Sequence, residues 1–124
     1  AFAGGKLFVV WSGFEPPHLI HVLKLVVAED GTVPPQVMTA TPINDWTNDT
    51  TGPATAFHAP GNRPYVAFTG ADDRLYVISS TDDGASFPNR VILPAELSRH
   101  DAGPAIAVHS DGTVCVCWPG TDGD

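Results

Sequence analysis

The chain repeats itself at an interval of about fifty residues, and that interval limits what it can fold into. Gly52-Pro53-Ala54-Thr55-Ala56-Phe57-His58 returns 51 residues later as Gly103-Pro104-Ala105-Ile106-Ala107-Val108-His109. A second phrase, Tyr65-Val66-Ala67-Phe68-Thr69-Gly70-Ala71-Asp72, returns as Cys115-Val116-Cys117-Trp118-Pro119-Gly120-Thr121-Asp122. Phe8-Val9-Val10-Trp11-Ser12-Gly13 is an earlier copy of that second phrase. A unit of this size cannot bury both of its own faces, so repeats must stack on one another to make a core.

Val, Ile, Tyr and Phe gather in short runs, and Gly, Pro, Asn and Asp separate them, as strand and turn chemistry requires. In the unit 52–102 the expected strands are 54–58, 65–69, 75–79 and 89–93. The unit 1–51 is incomplete, with strands expected at 7–11, 18–25 and 36–40 after the end of a first strand at Ala1-Phe2. The segment 103–124 supplies two further strands, 105–109 and 113–118. Four short antiparallel strands per fifty-residue unit make the fold class all-β, a β-propeller of four-stranded blades. At this period the chain holds about two and a half blades, where closed propellers have about four to eight. The runs Phe8–Trp11 and Val114–Trp118 are apolar without alternation, which fits strands buried on both faces.

Composition narrows the function. The net charge is −8, and Lys6, Lys24, Arg63, Arg74, Arg90 and Arg99 are the only Lys or Arg residues. A chain without a basic stripe is poorly suited to nucleic acid or to anionic membranes, so neither is expected as a partner. No run reaches the roughly 18 apolar residues of a spanning helix, and no secretory signal opens the sequence. Cys115 and Cys117 are the only cysteines. Two apart on one strand, they share a face at a separation that strains a disulfide, and no further ligands accompany them. They are expected as small buried hydrophobes, with no metal and no cofactor.

One turn carries a motif. In Ser80-Thr81-Asp82-Asp83-Gly84-Ala85-Ser86-Phe87, a carboxylate and serine hydroxyls can bond backbone amides while a glycine allows positive φ. The aromatic residue can then anchor the following strand. This resembles the Asp-box, S-x-D-x-G-x-[TS]-[WF], of sialidase-type repeats, with Ser80, Asp82, Gly84, Ser86 and Phe87 in its fixed positions. Residues 27–34 hold a degraded counterpart that keeps the acid and glycine. Trp11-Ser12-Gly13, Phe68-Thr69-Gly70-Ala71-Asp72 and Trp118-Pro119-Gly120-Thr121-Asp122 look like the W-[ST]-G-T-D step of the same family. The resemblance implies a propeller in which the box is a structural staple between the third and fourth strands, far from the catalytic face.

Sialidases of this type clamp a carboxylate with three arginines, which suits bidentate guanidinium chemistry. The Phe-Arg-Ile-Pro segment that marks the first of them is absent, Arg63 is expected in a turn and Arg90 on an outermost strand. No catalytic residue is therefore assigned. Binding is expected at the loops 13–17, 41–51, 70–74 and 94–102. Trp46 among Asn44, Asp45 and Asn48 suits a sugar, since the ring stacks on C–H faces while amides and carboxylates take hydroxyls. Asp72, Arg74, Arg99 and His100 belong to the same set. The recurring aromatics Trp11, Phe68 and Trp118 mark either one sugar site per blade or the packing between blades. The reading is a non-catalytic, lectin-like, carbohydrate-binding propeller in a secreted or extracellular setting. The alternatives are a fragment of a sialidase-like glycoside hydrolase and a scaffold for protein interaction. Either the rest of a longer chain or further copies in a ring would complete the stack.

Overall fold

The computed structural model describes residues 2–3, 5–13, 19–27, 30, 41–46, 52–70, 74–97 and 103–118. Within them the β-branched and aromatic runs form ten strands. These are β1 (Phe2–Ala3), β2 (Lys6–Ser12), β3 (Leu19–Val26), β4 (Thr41–Trp46), β5 (Ala54–His58), β6 (Arg63–Thr69), β7 (Arg74–Ser79), β8 (Asn89–Leu97), β9 (Ala105–Val108) and β10 (Val114–Cys117). They pair antiparallel, each with its sequence neighbour, into an N-terminal sheet β1–β4, a central sheet β5–β8 and a C-terminal pair β9–β10. The chain is all-β, and no helix occurs among the described residues.

Three strands run past the prolines at which the sequence reading stopped or started them. β4 occupies Thr41–Trp46 through Pro42, where a loop was expected, while 36–40 lies outside the described residues. β8 continues through Pro94 to Leu97, and β6 begins before Pro64, at Arg63. The physical reason is position. β4 and β8 are the outermost strands of their sheets, and Pro64 is the second residue of its strand, places where a missing N–H breaks little of the ladder.

Alternation assigns the faces of the sheets. In the central sheet Phe57, Pro64, Val66, Phe68, Tyr76 and Ile78 share one face by register, and Ala54, Ala56, Ala67, Thr69 and Leu75 share the other. The first of these faces meets Phe8, Val10, Ile20 and Val22 of the N-terminal sheet, and this junction is the main core, closed by Phe87. The Phe8 ring lies 5.0 Å from that of Phe57, and each fully buried large side chain here contributes about 1.5–3 kcal/mol. The second face of the central sheet is turned to the C-terminal pair. There Ala67, Thr69 and Leu75 are inaccessible, while Ile106, Val108, Val114 and Val116 are half-buried. β5 and β9 run close enough that a Cβ on Gly103 would sit 2.4 Å from the carbonyl oxygen of Gly52, its counterpart in the preceding repeat.

Two expectations about burial fail at the free faces of this stack. Val9 and Trp11 point away from the core and are exposed, so the run Phe8–Trp11 is covered on one side only. Cys115 and Cys117 are exposed free thiols rather than buried hydrophobes. They stand opposite Ala107 and Ala105 on the face of the C-terminal pair turned away from the central sheet, where no described sheet covers them.

Candidate functional site

The turn joining β7 to β8 is built from side-chain-to-backbone bonds. Ser80, fully buried, accepts from the Gly84 N–H at 2.8 Å and the Asp82 N–H at 3.2 Å and donates to Asp82 Oδ1 at 2.6 Å. Asp82 accepts in addition from the Ser86 N–H at 2.8 Å and from the Ser86 hydroxyl. Bonds from Ser80 first, and then from Ser86, hold the Asp82 carboxyl down to about 2. Gly84 adopts φ +87° with its Cα facing the Phe8 ring, where a Cβ would lie 3.0 Å from Cε1. Phe87 then enters the core as the chain turns into β8. All five motif residues thus act on the turn or the packing beneath it.

A residue the motif leaves unspecified does more. Asp83, at φ 64°, reaches the N-terminal sheet and accepts from Lys6 Nζ and Lys24 Nζ, each at 2.7 Å. Burial works against its charge, but the bonds from Lys24 and Lys6 outweigh it and keep the carboxyl below its ordinary value. Lys6 also donates to Asn62 Oδ1 at 2.8 Å, in the turn between β5 and β6. On the other side of the central sheet, His58 Nε2 lies 3.0 Å from the Ser110 carbonyl oxygen, in the turn between β9 and β10. Sequence reasoning missed the Lys6–Asp83–Lys24 link because its members lie 77 and 59 positions apart, with no local pattern to join them. The two histidines that recur at one repeat position differ in reach: His58 links two sheets, and His109 Nδ1 lies 3.1 Å from Asp111 Oδ1 within its own turn.

These contacts align the three sheets, with the turns β1–β2, β5–β6, β7–β8 and β9–β10 all at one end. The strand pairs β2–β3 and β6–β7 therefore come together at the opposite, loop end. Each is closed in the same way: the Gly13 N–H donates to the Leu19 carbonyl at 2.8 Å, and the Gly70 N–H to the Arg74 carbonyl at 2.8 Å. Trp46 pairs with Leu19 and Leu97 with Arg74, so the outermost strands β4 and β8 both finish at this end.

The expected binding residues distribute accordingly. Asn44, Asp45 and Trp46 belong to strand β4 rather than to a loop, with Trp46 its last residue at the loop end. Arg74 opens β7 at the same end and is exposed. Asn48, Asp72, Arg99 and His100 lie outside the described residues. The described arginines do not converge. Arg63 is the first residue of β6 and Arg90 the second of β8, both at the turn end, Arg74 stands at the loop end, and the Arg90 guanidinium lies 5.7 Å from the centre of the Tyr76 ring. Among the described residues no three His, Cys, Asp or Glu side chains gather as a metal site would require.

The recurring aromatics resolve unequally. Phe68 is buried in the main core and stacked on Tyr76 at 5.1 Å, so at that position packing is its role. Trp11 makes the equivalent cross-strand stack, on His21 at 5.4 Å, but is itself exposed. Trp118 is half-buried. No family model, curated protein or solved structure matches this chain.

Proposed function

We propose that the chain is a run of Asp-box propeller blades that binds carbohydrate at its loop end and performs no catalysis. The observation that carries this reading is the common orientation of the sheets. Successive sheets stack in one sense with their turn ends linked through Lys6, Asp83 and His58. Ser80–Phe87 then belongs to the structural end, and Trp46 and Arg74 stand at the other. Tryptophan, guanidinium, amide and carboxylate groups are the side chains that suit a neutral or acidic sugar, and Trp46, Arg74, Asn44, Asp45, Asn48 and Asp72 supply them. Arg99 and His100 follow β8 by two and three residues and extend the same set. A secreted or extracellular setting goes with such a ligand. Among the described residues the guanidinium groups of Arg63, Arg74 and Arg90 are spread over both ends and do not clamp one carboxylate, which favours binding over sialic-acid hydrolysis.

A glycan array read with the native chain and with Trp46→Ala tests the proposal. Binding of a defined glycan class by the native chain, lost or weakened at least tenfold in the variant, is expected. No bound glycan, or equal binding by both, would remove the sugar site. Turnover of a fluorogenic sialoside would overturn the non-catalytic part of the reading.

A further inference from the structure

We propose that copies of this chain associate head to tail. The exposed face of the C-terminal pair of one copy seats on the exposed face of the N-terminal sheet of the next. Both internal junctions join the same two kinds of face. At the first, Phe8 and Val10 of the N-terminal sheet meet Val66 and Phe68 of the central sheet. At the second, the opposite face of the central sheet, with Ala56 and Ala67, is turned to strand β9, whose Ile106 and Val108 are half-buried. The repeat makes Val9 and Trp11 the counterparts of Val66 and Phe68. Val66 and Phe68 are 0% and 1% exposed, yet Val9 and Trp11 are 39% and 38% exposed. Likewise Ala107 and Cys117 are the counterparts of the buried Ala56 and Ala67, and both are exposed.

The two uncovered faces are therefore the two halves of a junction that the molecule already makes twice. Their sizes match as well as their order. Ala105, Ala107, Cys115 and Cys117 make a shallow apolar surface by register, as Ala54, Ala56 and Ala67 do on the face of the central sheet against which β9 lies. Val9 and Trp11 supply the bulk beside the half-buried Leu7 and Leu23, while Leu25, at the turn end of the same face, is already buried. A contact between unlike faces is heterologous, and it ends in a ring or continues as a filament depending on the rotation between copies.

Sedimentation velocity of the full chain over a concentration series, under reducing conditions, tests the proposal. Association that grows with concentration is expected for the native chain. Trp11→Glu and Cys117→Glu should each return the mass to the 13.1 kDa monomer, because each destroys one half of the contact. Mixed together, the two variants should form a complex of one copy each and stop there, since each retains the half that the other lacks. Val9→Glu with Ala107→Glu repeats the experiment if either first variant fails to show native far-UV circular dichroism. Self-association by either variant alone would mean that like faces pair, and would overturn the proposal. A native chain that stays monomeric, or a mixture that does not associate, would overturn it too and would leave the faces to a different partner.

Discussion

Replacing Ser80 by alanine asks whether the 80–87 turn depends on a buried hydroxyl or only on its glycine. The Ser80 oxygen is out of water and serves two backbone donors, Gly84 N–H at 2.8 Å and Asp82 N–H at 3.2 Å. Alanine keeps the methylene carbon and removes only that oxygen, so the cost is polar and not one of volume. Stranding the well-aligned Gly84 N–H costs about 1–3 kcal/mol, and the longer Asp82 contact adds less. Against the roughly 5–15 kcal/mol that holds a typical domain folded, the loss is large. Ser86 provides the control within the same turn. It also bonds Asp82 but is exposed, so water replaces the lost bond and Ser86→Ala should cost under about 0.5 kcal/mol. Urea unfolding at one fixed protein concentration measures both variants, and equal denaturant slopes make their midpoints comparable. Equal costs at the two serines, or a Ser80→Ala midpoint at the native value, would refute the argument that burial decides.

The two leading glycines of the repeat should respond in opposite ways. Gly103→Ala drives a Cβ to 2.4 Å from the Gly52 carbonyl and should lower stability by about 1–3 kcal/mol, whereas Gly52→Ala meets nothing within 4 Å and should be neutral or slightly stabilising; similar urea midpoints for the two variants would contradict the close approach of β5 and β9. Acid should destabilise the fold through Asp82 and Asp83. Both carboxyls are held below their unfolded value, 3.8, so their stabilisation is complete above it and is lost as pH falls, for Asp82 toward about 2. Urea midpoints taken down that range should fall more steeply for the native chain than for Asp82→Asn or Asp83→Asn, and parallel profiles would count against it.

Much of this was legible without coordinates. The repeat fixed where one sheet ends and the next begins, because a fifty-residue echo of strand and turn residues leaves few ways to divide the chain. Strands 54–58 and 75–79 emerged almost residue for residue, since β-branched and aromatic side chains there are bracketed by Gly, Pro and Asp. The motif turn was legible for the same reason: its chemistry spans only the residues from Ser80 to Phe87, and every bond that shapes it is local.

Proline marked the first limit of that reading. Pro42 and Pro94 suggested loops, and only their place on the outermost strands of their sheets explains why β4 and β8 run through them. That shift moved Asn44, Asp45 and Trp46 from a loop onto a strand, though Trp46 still stands at the loop end. The Lys6–Asp83–Lys24 link was invisible because it exists only once two sheets have stacked.

By itself, then, the sequence determined the local periods: which residues form strands, where the turns fall, and that the units must stack. Tertiary structure alone decided which face of each strand is covered. Alternation tells two faces of a strand apart, but burial depends on whether another sheet lies opposite. Val66 and Val9 occupy the same repeat position, and so do Ala67 and Cys117; the first of each pair has a neighbouring sheet against it, and the second has none among the described residues.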